Sequence, residues 1–130
     1  MHIQNEIEFI LYVENQKVSR DFYANLFQQA PCLDVPGMTE FTIAPNVKLG
    51  LMPNDGIAKI LTDKTPHPAK GKHIPRCELY FKVDDLEQVY QHVLSLDLPI
   101  ISAPENRNWG DRVFYCSDLD GHVIAFAEKV

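Results

Sequence analysis

Apolar residues along this chain recur in two rhythms, a strand-like alternation and a helix-like stripe, and the order in which these follow one another is the same in each half. Residues 6–13 are rich in β-branched and aromatic types and predict a strand. Glu14 and Asn15 then turn the chain into a helix predicted over residues 16–29, where Val18, Phe22, Tyr23, Leu26 and Phe27 form one stripe and Pro31 is the stop. Three short extended segments follow, at 32–35, 38–44 and 47–52, separated by Pro36-Gly37 and Pro45-Asn46 and closed by Pro53-Asn54. From 54 to 76 the apolar rhythm fails except between Ile57 and Leu61. Pro66, Pro68, Gly71 and Pro75 punctuate the segment, which reads as a linker or surface excursion. The pattern restarts with a strand at 77–83. Asp84-Asp85 resembles a helix cap, and Leu86, Val89, Tyr90, Val93 and Leu94 give a second helical stripe. Strands are expected at 99–102, 111–117 and 122–128, the last two joined by a turn at Asp118-Leu119-Asp120-Gly121.

Both halves therefore read β-α-β-β-β. Glu8 to Glu14 lies over Glu78 to Asp84 at a constant offset of 70 residues, a sign of internal duplication. Strand alternation sends Phe9, Leu11 and Val13, like Leu79, Phe81 and Val83, to a side suited to packing on helices. Glu8, Ile10 and Tyr12 take the other side, as do Glu78, Tyr80 and Lys82. That mixture of carboxylates, aromatics and an amine suits the inner face of a ligand-holding half-barrel.

The length, 130 residues, fits one domain, and 45% apolar with 23% charged residues is the balance of a globular chain. The net charge of −6 is the wrong sign for holding phosphates, so nucleic acid is not expected as a partner. Residues 57–76 carry five bases against Asp63, a local +4, and the remainder carries seven bases and seventeen acids, or −10. A field of that sign attracts cations, although it also serves plain solubility. No window reaches the run of about 18–20 apolar residues that crosses a bilayer, and residues 1–8 lack a signal-peptide pattern, so a cytoplasmic protein without a membrane partner is expected. Cys32, Cys77 and Cys116 are far apart, which suggests neither a disulfide framework nor a thiolate zinc site.

Two βαβββ modules, Asp21-Phe22-Tyr23 in the first helix, and the ending Trp109-Gly110-Asp111-Arg112-Val113-Phe114-Tyr115 followed by Asp118-Leu119-Asp120-Gly121-His122 resemble the vicinal oxygen chelate superfamily. This group includes glyoxalase I, extradiol dioxygenases and the fosfomycin- and bleomycin-resistance proteins. The resemblance covers nearly the whole chain and is nearest to bleomycin-resistance-like members. It implies an α+β fold of two tandem βαβββ modules forming a cleft or half-barrel, the glyoxalase/bleomycin-resistance/dihydroxybiphenyl dioxygenase fold. One domain over 1–130 is expected, with modules at 1–53 and 77–130 and a linker at 54–76. The resemblance also implies a homodimer, with or without exchange of modules.

Metal enzymes of this superfamily take four ligands, two from each module. Carried over by resemblance, these positions fall on Glu8, Gly50, Glu78 and Ala125. Gly50 and Ala125 offer no donor atom, and a catalytic divalent ion needs about three or more protein donors. No metal or other cofactor is therefore expected. Glu40, His67, His73 and His122 stand near enough in sequence to be considered as donors, but nothing in their spacing argues for it. Two readings of Glu8 and Glu78 stay open. They attract a cationic ligand group or hold one proton between them; or Lys82, Arg112 and backbone donors satisfy them. Trp109, in the polar loop Glu105-Asn106-Arg107-Asn108, is the best candidate for stacking on a flat ligand. Tyr12, Tyr80, Arg112 and Phe114 complete the candidate ligand-binding set. Ser117, His122 and Asp120 sit around a turn and need no triad interpretation. The expected function is a metal-free protein that binds a small aromatic or cationic molecule, with resistance by sequestration needing affinity alone. The alternative is a metal-dependent lyase, isomerase or dioxygenase resembling glyoxalase I, with Glu8 or Glu78 as base.

Overall fold

Alternating apolar residues need a helix to pack against, and in a computed structural model describing residues 1–130 each half of the chain supplies its own. The chain divides into two units, residues 1–70 and 71–130. In unit 1, β1 (Ile7–Val13), α1 (Gln16–Phe27), β2 (Leu33–Val35), β3 (Met38–Ala44) and β4 (Val47–Pro53) form a sheet of order β1-β4-β3-β2. β1 and β4 are parallel, and the other pairs are antiparallel. In unit 2, β5 (Glu78–Lys82), α3 (Leu86–Ser95), β6 (Ile100–Asn106), β7 (Asp111–Ser117) and β8 (Val123–Lys129) repeat the plan in the order β5-β8-β7-β6. Both modules are thus mixed α+β with open sheets, and neither sheet closes into a barrel.

Side-chain oxygens start the two main helices. Asn15 accepts the amide of Val18, and Asp85 that of Gln88, each satisfying a donor left without a partner in the first turn. The helix predicted to reach 29 stops at Phe27 because Gln28 adopts a left-handed conformation and closes it onto Ala24. Tyr23 and Leu26 are buried as the stripe predicts, while Val18 is exposed. Tyr23 meets Phe27 at a tilt and Phe27 meets Phe41 edge to face across the α1–sheet interface, where Leu49 and Leu51 are fully buried. In unit 2, Tyr90 of α3 meets Phe114, which stacks on Phe126, which in turn meets Phe81. Full burial of each such side chain contributes about 1.5–3 kcal/mol, so these two aromatic rows fix which face of each sheet the helix covers.

The segment read as a linker is structured. Residues 54–61 form α2 (Asn54–Leu61), packed on β1 and β4 with Ile57 buried, and two short 3-10 turns follow. The helix has only 8 residues and no side-chain cap, so little in the local pattern announces it. Residues 71–76 instead serve unit 2. The His73 amide and the Arg76 guanidinium both donate to the Asp120 carbonyl. No helix is long and apolar enough to cross a membrane.

Gly121 has φ +91°, and a Cβ there would come within 2.5 Å of the His73 Cα. Gly121→Ala is therefore expected to destabilise the chain by about 1–3 kcal/mol through backbone strain and a clash with main chain that has little room to give. Thermal unfolding checks this: a melting temperature several degrees lower is expected, and an unchanged one contradicts it.

Candidate functional site

On the face of unit 1 away from α1, strand register decides which groups meet. Glu8 pairs with Lys48, Ile10 with Gly50 and Tyr12 with Met52 across the parallel β1–β4 ladder, and Glu40 of β3 reaches Gly50 from the other side. A Cβ at Gly50 would lie 3.1 Å from Ile10 Cγ1, and 3.5 Å from both Glu8 Cδ and Met38 Sδ. The absent side chain leaves room for the Glu8 carboxyl, which faces Glu40. Burial, then the hydrogen bond to Glu40 and its charge, push Glu8 up to about 7 against the opposing pull of Lys48. Two carboxyl groups can face each other this way when they share one proton. Glu8 Oε1 is buried and has no hydrogen-bond partner. Tyr12 is half-buried on the same face.

On the corresponding face of unit 2, Trp109, Tyr80, Asp111 and Lys82 form a chain of hydrogen bonds. The indole N–H donates to Tyr80 Oη at 2.8 Å, the Tyr80 hydroxyl donates to Asp111 Oδ2 at 2.6 Å, and the Lys82 ammonium donates to Asp111 Oδ1. Lys82 and Tyr80 together hold Asp111 below the usual carboxylate range, while burial and then Asp111 raise Tyr80. This chain fixes the orientation of an indole that is itself 60% exposed. Beside it lies a cleft of about 560 Å³ lined by Ile101, Ser102, Glu105, Arg107, Trp109 and Tyr115 among others. Arg107 sits 5.5 Å over the Tyr115 ring, donates to Ser102 Oγ at 2.9 Å and pairs with Glu105 at 3.3 Å. Its Nε is buried without a partner.

Of the candidate ligand-binding residues, the structure brings Tyr80 and Trp109 into direct contact. Glu78 is exposed on the same face, opposite Val123. Phe114 must be removed from the set: it is fully buried between Tyr90 and Phe126, because even positions of β7 point towards α3. Arg112 shares that parity, and its guanidinium is exposed and donates to Asn106 at 3.3 Å. The arginine that lines the cleft is instead Arg107, which the sequence places in the Trp109 loop. Glu40, weighed in the sequence only as a metal donor, faces Glu8 instead, Asp111 takes Tyr80 and Lys82 as its partners, and Tyr115 lies under Arg107.

The residues present do not fit the divalent ion that the fold family implies. Ala125 is a fully buried methyl, a side chain at Gly50 would press on Ile10 Cγ1 at 3.1 Å, and the ammonium of Lys48 already lies 3.4 Å from Glu6 and 3.8 Å from Glu40. Asp118, Asp120 and His122 are buried with their donor atoms within 4.8 Å of one another. Their hydrogen bonds build a turn: Asp118 Oδ1 accepts the amides of Asp120 and His122, and Oδ2 meets His122 Nδ1 at 2.7 Å. His67 is exposed and bonded to Asp55, and His73 lends its amide to the strap over Asp120.

A carboxyl raised on folding binds a proton that the unfolded chain releases, so the stability it contributes is full below about pH 4.5 and lost as the pH climbs to about 7. Glu8→Gln cannot ionise. Its melting temperature is expected to gain on that of the wild type across this window and to run parallel above it; an unchanged difference at all pH values contradicts the Glu8–Glu40 pairing.

The same architecture recurs in known proteins. A glyoxalase/bleomycin resistance protein/dioxygenase from Nocardioides superimposes with a TM-score of 0.82 at 17% identity, covering 100% of this chain and 85% of that one. A lactoylglutathione lyase from Agrobacterium tumefaciens does so with a TM-score of 0.72 at 21% identity, covering 94% and 91%. In sequence, an uncharacterized protein of Mycobacterium bovis is 25% identical over 127 residues, 92% of this chain and 80% of its own length. Residues 7–130 match the glyoxalase-like domain family, and with both βαβββ modules in place the chain belongs to that family, within the glyoxalase/bleomycin-resistance/dioxygenase (vicinal oxygen chelate) superfamily.

Proposed function

We propose that this protein binds a small aromatic molecule without a resident metal ion, holding it in the unit 2 cleft against Trp109. The observation that carries the reading is the fixed, exposed indole. An indole whose N–H is already bound to Tyr80 has no polar demand left to satisfy, so its ring face is free to stack on a flat ligand. The Arg107 guanidinium in the wall of the same cleft suits an acceptor oxygen on the same molecule. The exposed carboxylate of Glu78 and the net charge of −6 favour a ligand that also carries a cationic group. Binding of this kind asks no bond to break, and sequestration in the cytoplasm by a homodimer, with resistance as its outcome, belongs to the same reading. The lyase named among the structural relatives supports the fold alone, and no donor set in either unit favours a metal-dependent reaction.

A thermal-shift and fluorescence screen with bleomycin-type drugs, acridine dyes and glutathione adducts tests this. A stacking ligand is expected to quench Trp109, the single tryptophan, and to raise the melting temperature, by about 2.7 kcal/mol of added stability at a hundredfold excess over Kd. Trp109→Ala is expected to weaken binding by about 0.5–1.5 kcal/mol of stacking energy. Tyr80→Phe, which frees the indole N–H, is expected to weaken it by less. Quenching by none of these classes, or equal affinity in Trp109→Ala, contradicts the reading.

A further inference from the structure

The face of unit 1 away from α1 carries a charge arrangement that aromatic binding in unit 2 does not use. Three carboxyl groups and one ammonium meet there. Lys48 Nζ lies 3.4 Å from Glu6 Oε1 and 3.8 Å from Glu40 Oε1, and Lys48 pairs with Glu8 in the β1–β4 register. Glu40 and Glu6 in turn raise the basicity of Lys48, with a smaller contribution from Cys32. Lys48 and Gly50 stand two residues apart on β4, so strand alternation gives both to one face. Where metal-dependent relatives need a chelating carboxylate, this chain has a hydrogen atom, and the space serves the Glu8 carboxyl. The positive charge that balances these acids comes from the chain itself.

We propose that Lys48 is the built-in cation of the Glu6, Glu8 and Glu40 cluster, taking the role a divalent ion has in metal-dependent relatives, so that this face refuses divalent cations while the ammonium is present and acquires affinity for them when it is removed. The inference rests on the metal-free reading and deepens it. An incoming divalent ion meets the ammonium at a few ångströms, and like charges at that separation repel strongly in a partly buried setting. Without the ammonium, the same ion meets only carboxylate oxygens, the donors that Mn2+ and Mg2+ prefer. The ammonium therefore works as a device against the wrong occupant rather than as a contact for the right one.

Titration of the chelator-treated, full-length protein with Mn2+, followed by calorimetry and by the electron-spin signal of free Mn2+, tests the proposal. The wild type and Lys48→Arg are expected to show no saturable binding over a range in which Lys48→Met binds one ion about tenfold or more tighter. Adding Glu8→Gln to Lys48→Met is expected to abolish the gain. A folded Lys48→Met that binds no better than the wild type overturns the role of Lys48 and leaves the aromatic-binding reading standing. A wild type that binds one Mn2+ overturns both this proposal and the metal-free reading. Should Lys48→Met fail to fold, excess Mn2+ added to the unaltered protein decides: sharp carboxyl and lysine NMR signals from Glu8, Glu40 and Lys48 support the proposal, and selective paramagnetic broadening of them overturns it.

Discussion

The parallel pairing of the first and last strand of each module is the constraint on which the chemistry depends. It sets β4 beside β1 and β8 beside β5, so that whatever stands at Gly50 and Ala125 faces directly onto the row holding Glu8 or Tyr80. A side chain at either place decides how much room its neighbours have. In unit 1 a hydrogen at position 50 admits a carboxyl, which then faces Glu40 and is pushed up to about 7 by burial and by that neighbour. In unit 2 the methyls of Ala125 and Ala127 pack with Val113 and Tyr115, the hydrogen-bonded polar chain sits at the end of the sheet where Asp111 stands, and Glu78 is exposed at the other end. The same topology thus yields an ionic face in one module and a largely apolar, aromatic-edged one in the other.

Burial decides how these groups behave. A carboxyl that is desolvated next to another carboxyl is held protonated close to neutrality, whereas Asp111, given an ammonium and a phenol as donors, stays ionised. Each outcome is set by which residue lies across the ladder rather than by the residue itself. The hydrogen bonds from Trp109 through Tyr80 to Asp111 have a further consequence. They spend the polar atoms of two aromatic residues internally and leave the indole ring exposed.

Most of the fold was legible from periodicity. The eight strands fall within a few residues of their expected positions, since alternation in a half-buried strand is a local property of the sequence. What escaped was non-local or weakly signalled. α2 lies in a stretch whose few apolar residues, Ile57 to Leu61, are too short a run to distinguish from a surface loop. The pairing of Glu8 with Glu40 joins strands far apart in the chain, and only the register across Gly50 reveals it. Phe114 was within reach: the period-2 rule that put Glu78 and Tyr80 on one face, applied to β7, sends Asp111, Val113 and Tyr115 to that face and Phe114 to the helix. Arg107, two positions before Trp109, is visible as a residue but not as a clamp on Tyr115, because the 107–110 turn alone brings the two together.

Elemental analysis of protein purified without chelator is the measurement that bears most directly on a family member whose chelating corners carry glycine and alanine. The account predicts far less than one divalent ion per chain, whichever metal the growth medium supplies. One ion per chain, retained through purification and removed only together with the folded structure, would contradict it.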